Sequence, residues 1–81
     1  MSKDEFKLAC GLLGWTYIEM AKNLGVTPES VSRWANGVNR VPKTVTLLLR
    51  RLLEEHDIID EFNSICNKKF KIIEHQLVSN Q

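Results

Sequence analysis

The charged side chains best suited to chemistry lie between residues 33 and 43. Arg33, Arg40 and Lys43 fall in this stretch, and no acidic residue separates them. The net charge of the whole chain is only +1. Residues 1–44 carry a charge of +2, whereas residues 45–81 carry −1. A local excess of cations is typical of surfaces that contact nucleic-acid phosphates, so the first half of the chain is predicted to make such contacts.

No arrangement of residues in the sequence favours catalysis or a cofactor. Ser-His-Asp and Cys-His patterns, a GxxxxGK[ST] phosphate loop and an HExxH metal motif are all absent. Cys10 and Cys66 lie far apart among apolar residues, and neither has zinc-ligand spacing with His56 or His75. We therefore expect no enzyme activity, no metal and no cofactor. The two thiols are expected to be buried and reduced, with a disulfide or a zinc site as the less favoured alternative.

The length and composition are typical of one small soluble domain. The chain has 81 residues, of which 43% are hydrophobic and 26% are charged. A domain of this size buries little more than half of its unfolded surface, so pairing with a second chain would help to stabilise it. No apolar run is long enough to span a bilayer, and no signal peptide follows the N-terminus. We expect a cytoplasmic protein that does not contact membranes.

Three short helices are predicted in the first 37 residues. Each begins at a residue whose side chain can cap the first turn, and each ends at a glycine or an Asn-Gly pair. The predicted starts are Ser2, Thr16 and Thr27, and the predicted ends are Gly14, Gly25 and Asn36-Gly37. The apolar residues recur at helical spacing and are predicted to form the buried sides of these helices. They are Phe6, Ala9, Cys10, Leu13, Ile18, Met20, Ala21, Leu24, Val31 and Trp34.

Two longer helices are predicted to follow. Pro42 opens the fourth, which ends near Glu55 and has an apolar side formed by Val45, Leu48, Leu49, Leu52 and Leu53. The fifth is predicted from about Ile58 to Leu77. Its apolar positions recur every three or four residues, close to a coiled-coil seam: Ile59, Phe62, Cys66, Phe70, Ile73 and Leu77. This seam is predicted to join two copies of the chain; the alternative is that the helix folds back onto its own domain.

The run Gly14–Gly37 resembles the helix-turn-helix of the lambda-repressor-like, Cro-type family. The features that match are the small residue between the helices, the turn glycine with the apolar residue after it, two buried positions in the third helix and its Asn-Gly end. These are Ala21, Gly25, Val26, Val31, Trp34 and Asn36-Gly37. The resemblance covers about residues 3–55. It implies an all-α fold with a four-helix DNA-binding domain at 1–55, and the C-terminal helix predicted from its spacing then occupies 56–81.

The resemblance also implies a sequence-specific transcription regulator, most often a repressor, whose third helix enters the major groove of double-stranded DNA. Arg33 can pair with guanine O6 and N7, and Glu29 can accept from cytosine N4. The alternatives are an ordinary solvated arginine and an acid that only complements the helix dipole. Base readout is assigned to Pro28, Glu29, Ser32 and Arg33. Phosphate contacts are assigned to Thr16, Tyr17, Thr27, Ser30, Asn36, Gly37, Arg40 and Lys43.

The chain departs from the family pattern at two of these positions. Tyr17 stands where glutamine is common, and Pro28 stands where many members carry a base-reading glutamine. Proline cannot donate a hydrogen bond, so Pro28 can offer only an apolar contact, such as one with the methyl group of thymine.

The predicted assembly is a homodimer on an inverted repeat. A symmetric pair places two recognition helices about one DNA turn, roughly 34 Å, apart. The competing prediction is a protein-interaction module of the antitoxin kind, whose C-terminal helices bind a partner protein.

Overall fold

Five helices make up residues 1–69, the part of the chain that the computed structural model describes. They are α1 (Lys3–Leu13), α2 (Tyr17–Leu24), α3 (Pro28–Ala35), α4 (Lys43–Glu55) and α5 (Ile59–Lys69). This confirms the predicted all-α fold. None of these helices is long and apolar enough to cross a membrane.

The helix starts form as predicted from their capping residues. The Ser2 and Thr16 hydroxyls accept hydrogen bonds from the backbone N–H groups of Glu5 and Glu19, each at 3.1 Å. Both glutamates accept in return from the backbone N–H of the capping residue. Each reciprocal pair satisfies two of the backbone donors that a helix start leaves unpaired. The Thr27 hydroxyl caps α3 by accepting from Ser30 N–H at 3.2 Å.

One core joins all five helices. The Phe6 ring of α1 meets the Trp34 ring of α3 edge to face, with centroids 5.9 Å apart. The buried core residues are Phe6, Ala9, Cys10, Met20, Ala21, Leu24, Val31, Trp34, Ala35, Val41, Val45, Leu49, Leu53, Phe62 and Cys66. Trp15 is partly buried and packs against this core. The third helix is therefore fixed through its buried side to α1 and α2.

Two predicted core positions were wrong. Ile18 is 59% exposed and Leu48 is 36% exposed. Residues in a helix follow one another at about 100° around its axis. The buried side of α2 is centred on Met20, Ala21 and Leu24, which places Ile18 more than a quarter turn from that centre. In α4 the buried line runs through Val45, Leu49 and Leu53 instead.

The described part of the fifth helix packs against its own chain. Phe62 is fully buried and Cys66 is 4% exposed, while Ile59 packs against the core from its edge. The Arg50 guanidinium of α4 lies 6.0 Å from the centroid of the Phe62 ring. It also donates a hydrogen bond to Asn63 Oδ1 at 3.5 Å. In this arrangement neither Phe62 nor Cys66 is exposed to a second copy of the chain.

The rest of the predicted seam, Phe70, Ile73 and Leu77, lies outside the described residues. Its role in pairing two chains stays a prediction.

Candidate nucleic-acid interface

A tight turn between α2 and α3 sets the geometry of the candidate interface. Gly25 ends α2 with a φ of 72°, a left-handed conformation that glycine adopts without steric cost. Val26 N–H donates to Ala21 O at 3.0 Å across this turn. Ala21 is 2% exposed, so its methyl group is buried in the core. The glycine and the small residue together hold α3 close against α2.

The third helix has one buried side and one polar side. Val31, Trp34 and Ala35 are buried, whereas Pro28, Glu29 and Arg33 are exposed. A helix attached through one apolar side presents the opposite side to a partner as a rigid unit. Its width is compatible with a major groove of about 12 Å.

The two strongest candidates for base readout interact with each other. Arg33 Nη2 lies 3.7 Å from Glu29 Oε2, and the two side chains are 54% and 82% exposed. An exposed ion pair of this kind contributes little stability, typically about 0.3–0.5 kcal/mol within a helix. It does keep both charged ends on the same polar surface. The spacing of four residues was visible in the sequence, but this pairing was not predicted.

The predicted phosphate-contacting residues at the starts of α2 and α3 lie at the N-terminal ends of their helices. Thr16 caps α2, and Tyr17, its first residue, is 38% exposed. Thr27 caps α3, and its hydroxyl also shares a hydrogen bond with the Ser30 hydroxyl at 3.0 Å. Helix N-termini favour anions because backbone N–H groups and the positive end of the helix dipole point outward there.

Three further candidates in or just after the last turn of α3 already form hydrogen bonds within the protein. They are Ser32, Asn36 and Gly37. The Asn36 side-chain amide donates to Ser32 O at 2.9 Å and to Ser32 Oγ at 3.2 Å. Gly37 N–H donates to Trp34 O at 3.3 Å. A phosphate could bind Asn36 only by replacing one of its bonds to Ser32. These local bonds depend on side-chain rotamers, for which the sequence gives no signal.

Two cations after α3 are available for binding. Arg40 lies in the loop and Lys43 is the first residue of α4, and both are exposed. Among the described side chains, neither of these two cations forms an ion pair with a carboxylate. They supply the local positive charge that the sequence predicted.

Two helices joined by a glycine turn define helix-turn-helix proteins. The second of the two, here α3, has one buried side and one polar side. A helix-turn-helix family model matches residues 6–56 of the chain. The chain belongs to this family, in its Cro-type, lambda-repressor-like form. The family assigns it to the DNA-binding transcription regulators. No curated protein and no solved structure shows significant similarity to the chain.

Proposed function

We propose that the protein represses or autoregulates transcription by binding an inverted-repeat operator as a homodimer, with α3 in the major groove. The observation that carries the proposal is the two-sided construction of α3. Its buried side fixes it to the core, and its exposed side carries an arginine and a glutamate whose charged ends lie 3.7 Å apart. A rigid helix with donors and acceptors on one face can read base edges by direct hydrogen bonding.

Arg33 is the principal base reader in this proposal. Its guanidinium offers two parallel donors for O6 and N7 of a guanine, a pairing worth about 1–3 kcal/mol of discrimination. Glu29 competes for the same guanidinium in the free protein. On DNA, Glu29 turns to the N4 amine of a cytosine and releases Arg33 to the guanine. Pro28 and Ser32 complete the base-facing surface.

Phosphate contacts position this surface on the duplex without reading sequence. The N-terminal ends of α2 and α3, with Thr16, Tyr17, Thr27 and Ser30, bind one strand of the backbone. At the other end of α3, Arg40 and Lys43 supply charge, with Asn36 and Gly37 beside them.

The proposal includes pairing of two chains because the recognition helix of one chain contacts only a short DNA site. A single recognition helix covers only a few base pairs, whereas two helices about 34 Å apart read both halves of a palindrome. Since Phe62 and Cys66 are buried within the chain, the residues of the predicted seam left for pairing are Phe70, Ile73 and Leu77, with Ile59 at its edge.

Selection of bound duplexes from a random pool tests the proposal. We expect the wild-type protein to enrich an inverted repeat with half-sites about one turn apart. The Arg33→Ala variant should lose the preference for guanine at one position of each half-site. Arg51→Ala, which removes an exposed arginine of α4, is the matched control and should select the same repeat as wild type. Enrichment of single half-sites would argue against the dimer. Equal binding of all sequences would argue against a sequence-specific regulator and in favour of a protein-interaction module.

A further inference from the structure

A cavity of about 280 Å³ opens where the start of α1 meets the end of α3. Its walls include Ser2 and Lys3 from the start of α1, Trp34 and Gly37 from the end of α3, and Asn39 and Arg40 from the following loop. The cavity therefore adjoins the loop that carries Arg40 and leads to Lys43. Its position extends the candidate interface from the helix-turn-helix to the first helix.

The charge of this cavity favours an anion. Lys3 and Arg40 are the charged side chains among its lining residues, and none of those residues is acidic. Neither cation takes part in an ion pair within residues 1–69. The capping box at the start of α1 already uses the Ser2 hydroxyl and the backbone N–H groups of Ser2 and Glu5. An anion at this place would be attracted by these two cationic side chains.

The alkyl stem of Lys3 lies against Gly37. A Cβ atom added at Gly37 would lie 2.9 Å from Lys3 Cδ, so the alkyl stem of the lysine crosses the place where any other residue would carry its side chain. Gly37 also has a φ of 75°, which L side chains rarely adopt. The stem thereby packs against the end of α3, as the apolar part of a lysine side chain commonly does on a protein surface.

We propose that Lys3 and Arg40 together bind one phosphate of the DNA backbone at this cavity. The arginine supplies paired N–H donors and the lysine a compact positive charge, two arrangements suited to phosphate oxygens. The contact rests on the proposed DNA-binding function and adds to it a phosphate outside the helix-turn-helix. It also gives Gly37 a second role, because a side chain at residue 37 would displace the lysine.

The salt dependence of binding to the selected operator tests this contact. Each neutralised phosphate contributes about −0.9 to the slope of the logarithm of the binding constant against the logarithm of salt concentration. We expect Lys3→Gln to make the slope shallower by up to about 0.9, equally on strong and weak operators. Lys3→Arg should restore the slope. Because the two cations share one phosphate, the double variant Lys3→Gln/Arg40→Gln should also make the slope shallower by no more than about 0.9. Lys68→Gln, which removes an exposed lysine of α5, should behave as wild type.

Ethylation of individual phosphates locates the contact. One ethylated phosphate should weaken binding of the wild type and leave the double variant unaffected. If the wild type binds the operator specifically and Lys3→Gln has the slope and ethylation pattern of Lys68→Gln, the Lys3 contact is overturned and the proposed function stands. If the wild type shows no sequence preference, both are overturned. Circular dichroism spectra that match wild type exclude misfolding as the cause of a loss.

Discussion

Truncating Phe62 tests whether α5 is part of the same core as the DNA-binding helices. The Phe62 ring is fully buried, and the Arg50 guanidinium lies 6.0 Å from its centroid. Replacing a buried phenylalanine by alanine removes its transfer free energy and leaves a cavity, at a cost of about 3–5 kcal/mol. Domains of this size have a free energy of unfolding of about 0.05–0.15 kcal/mol per residue, or roughly 4–12 kcal/mol in total. Phe62→Ala should therefore remove a large part of the stability.

The expected change is large enough to be measured by thermal and urea unfolding followed by far-UV circular dichroism. A loss of 1 kcal/mol lowers Tm by about 4–8 °C in a domain of this size, so Phe62→Ala should lower Tm by at least about 12 °C. Phe62→Leu should show a smaller fall because it retains most of the apolar volume. Leu47→Ala, at a residue that is 60% exposed on α4, is the matched control and should change stability by about 0.5 kcal/mol or less. Equal stability of Phe62→Ala and Leu47→Ala would refute the single core.

Three further predictions follow from local contacts. Thr16→Ala removes the hydroxyl that accepts a backbone hydrogen bond at 3.1 Å, so urea unfolding should show a loss of about 1 kcal/mol in the free energy of unfolding. A loss no greater than that of exposed Thr44→Ala would contradict the capping role. Burial raises the pKa of the Cys10 thiol from 9.0 to about 11, so the folded state keeps a proton that the unfolded state loses. The free energy of unfolding should fall by about 2–3 kcal/mol as pH rises between these values, and a fall of the same size in Cys10→Ala would disprove this origin. Glu29→Gln should change the free energy of unfolding by about 0.5 kcal/mol or less, and in duplex selection it should relax the base preference at one position. If the base preference is unchanged, Glu29 only complements the helix dipole.

The sequence was sufficient to predict where the first three helices begin and end. A capping threonine or a turn glycine acts through its own backbone and the next few residues, so Thr16 and Gly25 indicate the bounds of α2 without any tertiary information. The buried side of α3 was equally readable, since Val31 and Trp34 lie three residues apart in a short helix that is otherwise polar.

Packing between distant elements could not be read in the same way. A three-and-four spacing shows that one side of α5 is apolar, but it does not tell which surface covers that side. The structure covers Phe62 and Cys66 with the chain's own helices, although the seam had been predicted to join two copies. The predicted burial of Ile18 was wrong for a related reason. An apolar residue beside the buried stripe of a short helix is covered only if a neighbouring helix reaches it.

The candidate site was predicted in part. Side-chain type and position in the motif placed Arg33, Arg40 and Lys43 on the exposed surface. The proposed involvement of Lys3 rests on its contact with Gly37, which is 34 residues away in sequence, and no local pattern indicates that contact. The pairing of Glu29 with Arg33 could have been inferred, because residues four apart in a helix are neighbours on its surface.

The most direct test of major-groove readout combines one altered atom on the DNA with one altered side chain on the protein. In the selected operator, 7-deazaguanine replaces each guanine in turn, which removes the N7 acceptor without changing base pairing. We predict that one replacement per half-site weakens wild-type binding by about 1.5–3 kcal/mol, at least tenfold, because a hydrogen bond to a charged donor is lost. The same replacement should leave Arg33→Ala binding unchanged. Equal weakening of the two proteins, or no sensitive guanine in the wild-type complex, would contradict base readout by Arg33 from an α3 helix in the major groove.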